Sequence, residues 1–167
     1  PLLEIFCRYP LSELIVHPRT QKEGYRGAPH REEFFRALER APFPVCYNGD
    51  LFSREDLEAF SREFPQADRV MLGRGLIADP ALAAGAADGR TVTKETFWEF
   101  HQEILDGYCQ IMSGDRNVLF KMKELWFYMI RLFPDGEDFA KKIRKSSTVA
   151  EYRLWTERLL AEREILP

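Results

Sequence analysis

Three short apolar runs mark the first half of the chain: "ELIVH" at 13–17, "PVCYN" at 44–48 and "RVMLG" at 69–73. Each is rich in Val, Ile or Leu without polar alternation, the pattern of parallel strands covered on both faces. Helical periodicity fills the gaps between them. In "HREEFFRALERA" Phe34 and Leu38 are four apart, and in "SREDLEAFSREF" Leu57, Phe60 and Phe64 share a face. Ser53 followed by Asp56 reads as a capping box opening the second of these helices. Strand alternating with helix, at roughly thirty-residue spacing, predicts a βαβ series.

The pattern changes after Pro80. "ALAAGAADGR" predicts a small-residue helix and then a turn, and from Thr93 onward no strand pattern occurs. Phe97, Phe100, His101, Ile104, Leu105 and Tyr108 follow helical periodicity up to the Gly114-Asp115 break. Val118, Met122, Leu125, Trp126, Met129, Ile130 and Phe133 give a second helix, stopped at Pro134-Asp135-Gly136. A short segment at 139–144 and a last helix follow, the latter capped by Thr148 and Glu151 and carrying Val149, Tyr152, Trp155 and Leu159. The fold class is therefore α/β followed by all-α, with the boundary near residues 88–93. Three parallel strands leave open edges and uncovered apolar faces. They are also far fewer than a closed eight-stranded barrel of about 250 residues needs. The α/β part is expected to be the tail of a larger domain, pairing with its missing N-terminal half or with a second copy. The absence of Met at position 1 gives the same expectation.

Composition narrows the function classes. The 167 residues carry a net charge of -3, so no global basic field advertises a nucleic-acid partner, and any such partner needs a local patch. No run approaches eighteen consecutive apolar residues, and the first ten lack the pattern of a signal peptide. Cys7, Cys46 and Cys109 are far apart and form no metal-ligand spacing. A cytoplasmic protein with free, structural thiols and no metal is expected.

Each expected strand ends in a polar signature. The first runs into "VHPRTQKEGYRG", the second into Asn48-Gly49-Asp50, the third into Gly73-Arg74-Gly75. In parallel α/β folds ligands bind at the carboxyl ends of strands, and in barrels a phosphate sits on the loops after the last strands. Glycine allows close backbone approach, and Arg74 adds a forked charge. Asn-Gly is also a common turn pair whatever its function, so the second signature alone fits turn chemistry equally.

In their order and spacing, "VHPRT", "NGD" and "GRG" make the chain similar to the tRNA-dihydrouridine synthases. The resemblance covers essentially the whole chain. It implies the C-terminal portion of an FMN-binding (β/α)8 barrel over residues 1–92 and a helical tRNA-binding domain over 93–167. The implied reaction is NADPH-dependent reduction of the 5,6 double bond of uridine in tRNA, or its reverse. It also implies that Asn48, Gly49, Asp50, Gly73 and Arg74 touch FMN, with His17 beside the isoalloxazine ring and Arg19 on an FMN or RNA phosphate. The family's proton-donating Cys belongs to an earlier barrel loop and matches none of the three cysteines here. No catalytic residue is therefore assigned within this chain, and the chain alone is expected to be inactive.

Lys121, Lys123, Arg131, Lys141, Lys142, Arg144 and Lys145 form a basic cluster in an otherwise acidic chain. It is a candidate for RNA phosphates, as is the rim of Arg19, Lys22 and Arg26; the alternative is a solvated helix face. Trp126, Tyr128 and Trp155 are stacking candidates, although helical spacing favours core packing for Trp126 and Trp155. His101 reads as a packed core histidine. Two other functions compete with uridine reduction: another FMN barrel oxidoreductase acting on a small molecule, and a non-catalytic RNA-binding helical module. A small substrate needs no basic helical appendage, which argues against the first.

Overall fold

Two of the three apolar runs form strands. The structure, a computed structural model, describes residues 2–166. Strand β1 (Leu14–Val16) pairs in parallel with β2 (Val45–Tyr47), Leu14 facing Val45 and Val16 facing Tyr47. The third run falls short of a strand and makes a single parallel bridge from Val70 to Tyr47. Its hydrogen bonds run from Tyr47 N–H to the Arg69 carbonyl (3.1 Å) and from Met71 N–H to the Tyr47 carbonyl (2.7 Å). All of β2 is buried, whereas Val70 and Met71 are exposed. An uncovered run gains little packing from a longer ladder.

Two compact units divide the chain at Gly73 and Arg74. In the first, short helix α1 (Leu2–Phe6) precedes β1, and α2 (Arg31–Arg40) and α3 (Arg54–Glu63) supply the core. Phe34, Tyr47, Phe60 and Phe64 form one aromatic cluster, with Tyr47 stacked on Phe60 at 4.4 Å between centroids and edge-on to Phe34 at 5.0 Å. The expected capping box is present: Asp56 N–H donates to Ser53 Oγ (3.2 Å), and Ser53 N–H donates to Asp56 Oδ2 (3.1 Å).

The aromatic cluster accounts for Gly49. Its φ is not positive, so turn conformation does not demand glycine. A Cβ there would lie 2.1 Å from the Tyr47 hydroxyl oxygen and 2.3 Å from its ring carbon Cζ. Tyr47 is 0% exposed and its hydroxyl makes no hydrogen bond of ordinary geometry, although the Arg31 guanidinium nearby partly offsets the upward push of burial on its pKa. The ring cannot swing outward, so Gly49→Ala should destabilise by about 2 kcal/mol through overpacking. Urea denaturation measures this, and a midpoint unchanged from wild type would contradict the steric account.

The second unit holds α4 (Arg74–Ala78), α5 (Leu82–Asp88), α6 (Lys94–Ile111), α7 (Asp115–Met129), α8 (Glu137–Lys145) and α9 (Val149–Glu162), with a 3-10 turn at Ile130–Leu132. Phe97, Leu105, Met122, Trp126, Met129, Tyr152 and Leu159 lie in its core. Thr93 and Thr96 form a capping box on α6, and Thr148 Oγ1 accepts Glu151 N–H (3.1 Å) at the start of α9. Within the second unit α4 packs on α7 and its 3-10 extension. Cys46 is buried as expected, but Cys7 is only half-buried and Cys109 is exposed, so those two do not serve as core residues. Among the described residues no helix is long and apolar enough to cross a membrane, and no cluster of His, Cys, Asp and Glu could hold a metal ion.

Candidate functional site

The loop after β1 is held by its own residues. Thr20 donates through its N–H (2.7 Å) and hydroxyl (2.9 Å) to Glu23 Oε2, and His30 Nε2 meets Glu23 Oε1 at 2.7 Å. These bonds draw the Glu23 carboxyl down to about 2 and raise His30. Gly24 and Gly27 take positive φ (54° and 73°), a backbone conformation that other residues rarely adopt. Arg19 closes it from within: its guanidinium donates to the carbonyls of Arg26 and Gly27, both at 2.7 Å.

The same guanidinium reaches the neighbouring strand end. Arg19 donates to Asp50 Oδ2 at 2.5 Å, with the Arg side chain 2% exposed and the Asp side chain 27% exposed. Arg19 Nε is buried without a hydrogen-bond partner. Arg19 is therefore an internal clamp between the two loops rather than the surface cation that its position in a polar loop suggests. His17 joins the same pair of strand ends, its Nδ1 lying 2.7 Å from the Asn48 carbonyl. A carbonyl only accepts, so Nδ1 carries a proton and donates to it. Asn48 in turn donates through Nδ2 to the Met71 carbonyl (2.9 Å). His17, Arg19, Asn48 and Asp50 are thus cross-tied at the carboxyl ends of β1 and β2, where parallel folds bind ligands.

Gly73 ends the first unit. Its φ is ordinary, and no atom lies within 4 Å of where a Cβ would begin. Unlike Gly49, it has neither a conformational nor a packing reason in this chain to be glycine. The backbone there is open to a ligand, which fits a phosphate cradle. Arg74 opens the second unit at the start of α4. Lys22 and Arg26 lie exposed on the β1 loop.

The basic cluster of the second unit divides. Arg144 and Lys145 are exposed at the end of α8. Lys121 is half-buried, 3.6 Å from Glu124 and 5.7 Å above the Phe120 ring. Lys123 donates to the Ser146 carbonyl at 2.5 Å, which makes it a cap for the carbonyl end of α8. Trp126 and His101 are in the core, as their spacing suggested. Trp155 is half-buried under Lys142 and Arg158, and Tyr128 is half-buried against Phe127.

Comparison with known proteins completes the picture. A family profile described as dihydrouridine synthase (Dus) matches residues 2–157. A tRNA-dihydrouridine(16) synthase of Neisseria meningitidis serogroup A is 39% identical over 162 residues, covering 92% of this chain and 48% of that protein. One from Cupriavidus necator is 37% identical over 157 residues (86% and 47%), and one from Shewanella oneidensis 27% over 143 residues (84% and 44%). The chain spans about half the length of these curated relatives.

Proposed function

The chain belongs to the dihydrouridine synthase family, and on that premise we propose that it is the C-terminal part of a flavin-dependent tRNA-dihydrouridine synthase. Residues 1–92 are assigned to the closing part of the FMN barrel and 93–167 to the tRNA-binding helical domain. The cross-tied strand ends carry the reading: His17, Asn48 and Asp50 converge where a flavin tail needs polar groups, and open backbone at Gly73 continues the same series of strand ends. Bound FMN would pass hydride from NADPH to the uracil ring. Asn48, Gly49, Asp50, Gly73 and Arg74 would hold its phosphate and ribityl chain, and His17 would border the ring, held there by its bond to the Asn48 carbonyl. Family membership favours tRNA as substrate over the small molecule of another flavin barrel. The unpaired side of β1, with a hollow of about 470 Å³ lined by Leu3, Phe6, Leu14 and Val16, suits the preceding barrel strands. A cytoplasmic location is part of the proposal, in keeping with free thiols at Cys7, Cys46 and Cys109.

Gly73→Val tests the flavin assignment in the full-length enzyme. A Cβ at this position meets no atom within 4 Å, so the melting temperature of the flavin-free protein should hold while flavin content falls at least tenfold. Flavin retained at wild-type stoichiometry would remove Gly73 from the cradle. Activity is read as dihydrouridine in a tRNA transcript, beginning with position 16, which the relatives' names carry. For RNA, replacing Lys121, Arg144 and Lys145 with Ala should flatten the slope of log affinity against log salt by about 2 to 3 units, through lost counterion release. Lys123→Ala should also lower stability, because it uncaps α8.

A further inference from the structure

The exposed face of α7 carries two aromatic rings that the core does not use. Phe120 is 69% exposed and Phe127 68% exposed, on a helix where Val118, Leu119, Met122, Trp126 and Met129 are buried and Leu125 is half-buried. At 3.6 residues per turn, Arg116, Phe120, Lys123 and Phe127 fall within an arc of about 60°, so cations and rings alternate along one stripe. The stripe borders two adjoining hollows that share Lys123. One, of about 690 Å³, runs between Arg116, Phe120 and Ser147; the other, of about 220 Å³, between Phe127, Ile130 and Arg144.

We propose that Phe120 and Phe127 are stacking platforms for unpaired bases of the bound RNA, with Arg116 and Arg144 holding the phosphates between and beside them. This rests on the reading of the helical unit as the tRNA-binding part. The alternation selects the partner. A protein surface favours contiguous apolar area, whereas here Lys123 separates the rings and exposed Arg116, Arg144 and Lys145 flank them. A single-stranded nucleic acid offers flat faces and anionic links in the same alternation. Seven residues of helix set the rings about 10 Å apart, close to three stacked base rises. Each nearby acid has a partner: Asp115 accepts Val149 N–H at 2.8 Å, at the positive end of α9, and Glu124, which lies between the two rings on α7, is 3.6 Å from Lys121 Nζ.

The test measures binding of the whole chain to a tRNA transcript, to a single-stranded oligouridylate and to a duplex of the same length. The double variant Phe120→Leu with Phe127→Leu should lose about tenfold or more in affinity for the single strand, with the duplex, the salt slope and the melting temperature unchanged. Tyr at both positions should restore binding. Unchanged single-strand affinity in the Leu variant overturns the proposal. If Lys121→Ala with Arg144→Ala still weakens tRNA binding in that case, RNA binding by this unit stands and only the stacking falls. If neither variant matters, the reading of the unit as an RNA binder falls with it. A Leu variant that changes self-association by light scattering, but not RNA affinity, assigns the face to protein docking and equally overturns the proposal.

Discussion

Asp50→Ala should cost about 3 kcal/mol of folding stability, far more than an exposed acidic residue in a turn normally contributes. The reason is the charge left behind. Arg19 is 2% exposed at the side chain, and Asp50 is the anion 2.5 Å from its guanidinium. Removing the carboxylate strands a cation that cannot reach water, whereas its two bonds to the Arg26 and Gly27 carbonyls keep it from swinging out. The companion variant separates this from simple loss of a turn residue. Adding Arg19→Met to Asp50→Ala removes the stranded charge, so the double variant should be more stable than the sum of the two single changes by about 2 kcal/mol. Urea denaturation of the four proteins closes the cycle. Additive losses would show that Asp50 acts through other contacts and that the clamp does not couple the two loops. In the full-length enzyme the same variant should also loosen flavin, because Asp50 and Asn48 share the turn that Arg19 and His17 fasten to the β1 loop.

The two strand ends were legible in the sequence, since polar signatures followed unbroken apolar runs, but the division of labour within them was not. Arg19 sits in a run of polar residues and reads as a free cation; only the fold brings Asp50, 31 residues away, against it. Gly49 reads as turn chemistry or ligand approach, yet its steric reason is the Tyr47 ring two residues earlier, visible only once the Phe34 and Phe60 rings pin that tyrosine. Capping was easier to anticipate: Ser53 with Asp56 is a local pattern, and so is Thr148 with Glu151, whereas the Thr93 and Thr96 box lacks the usual acid and went unread. The third strand failed for want of a cover over Val70 and Met71, which a hydrophobic count along the chain does not register. Periodicity found the buried side of α7, but it gave no sign that Phe120 and Phe127 would stand on the opposite side among the cations.

Acid should unfold the helical unit through His101. The residue is 0% exposed, stacked between Trp98 and Tyr152, with Nε2 2.6 Å from the Tyr152 hydroxyl. Its tautomer follows from the neighbours. Arg153 donates to Gln102 Oε1 at 2.5 Å, which turns the Gln102 amide nitrogen, a donor, toward His101 Nδ1 at 3.1 Å. Nδ1 must accept, so Nε2 carries the proton and donates to the Tyr152 oxygen, which also accepts from Trp126 Nε1. A second proton on Nδ1 would face a donor amide in a dry site. Burial, helped by the Arg153 charge and opposed by Asp106, lowers the His101 pKa to about 4, against 6.5 for an ordinary histidine. The folded state therefore resists a proton that the unfolded chain takes up at 6.5. Between those values the unfolded state binds more protons, so stability rises with pH. The contribution is complete above pH 6.5 and is lost progressively as pH falls toward about 4, a difference worth about 3 kcal/mol. Urea midpoints at pH 7.5, 6, 5 and 4.5 should fall along that curve. In His101→Phe, which keeps a ring but cannot titrate, this part of the pH dependence should vanish, whatever the variant loses at neutral pH by leaving the Tyr152 hydroxyl without its histidine. An unaltered pH dependence in His101→Phe would mean that other groups carry the acid transition. A His101 resonance titrating near 6.5 in the folded protein would mean that the ring is not held dry.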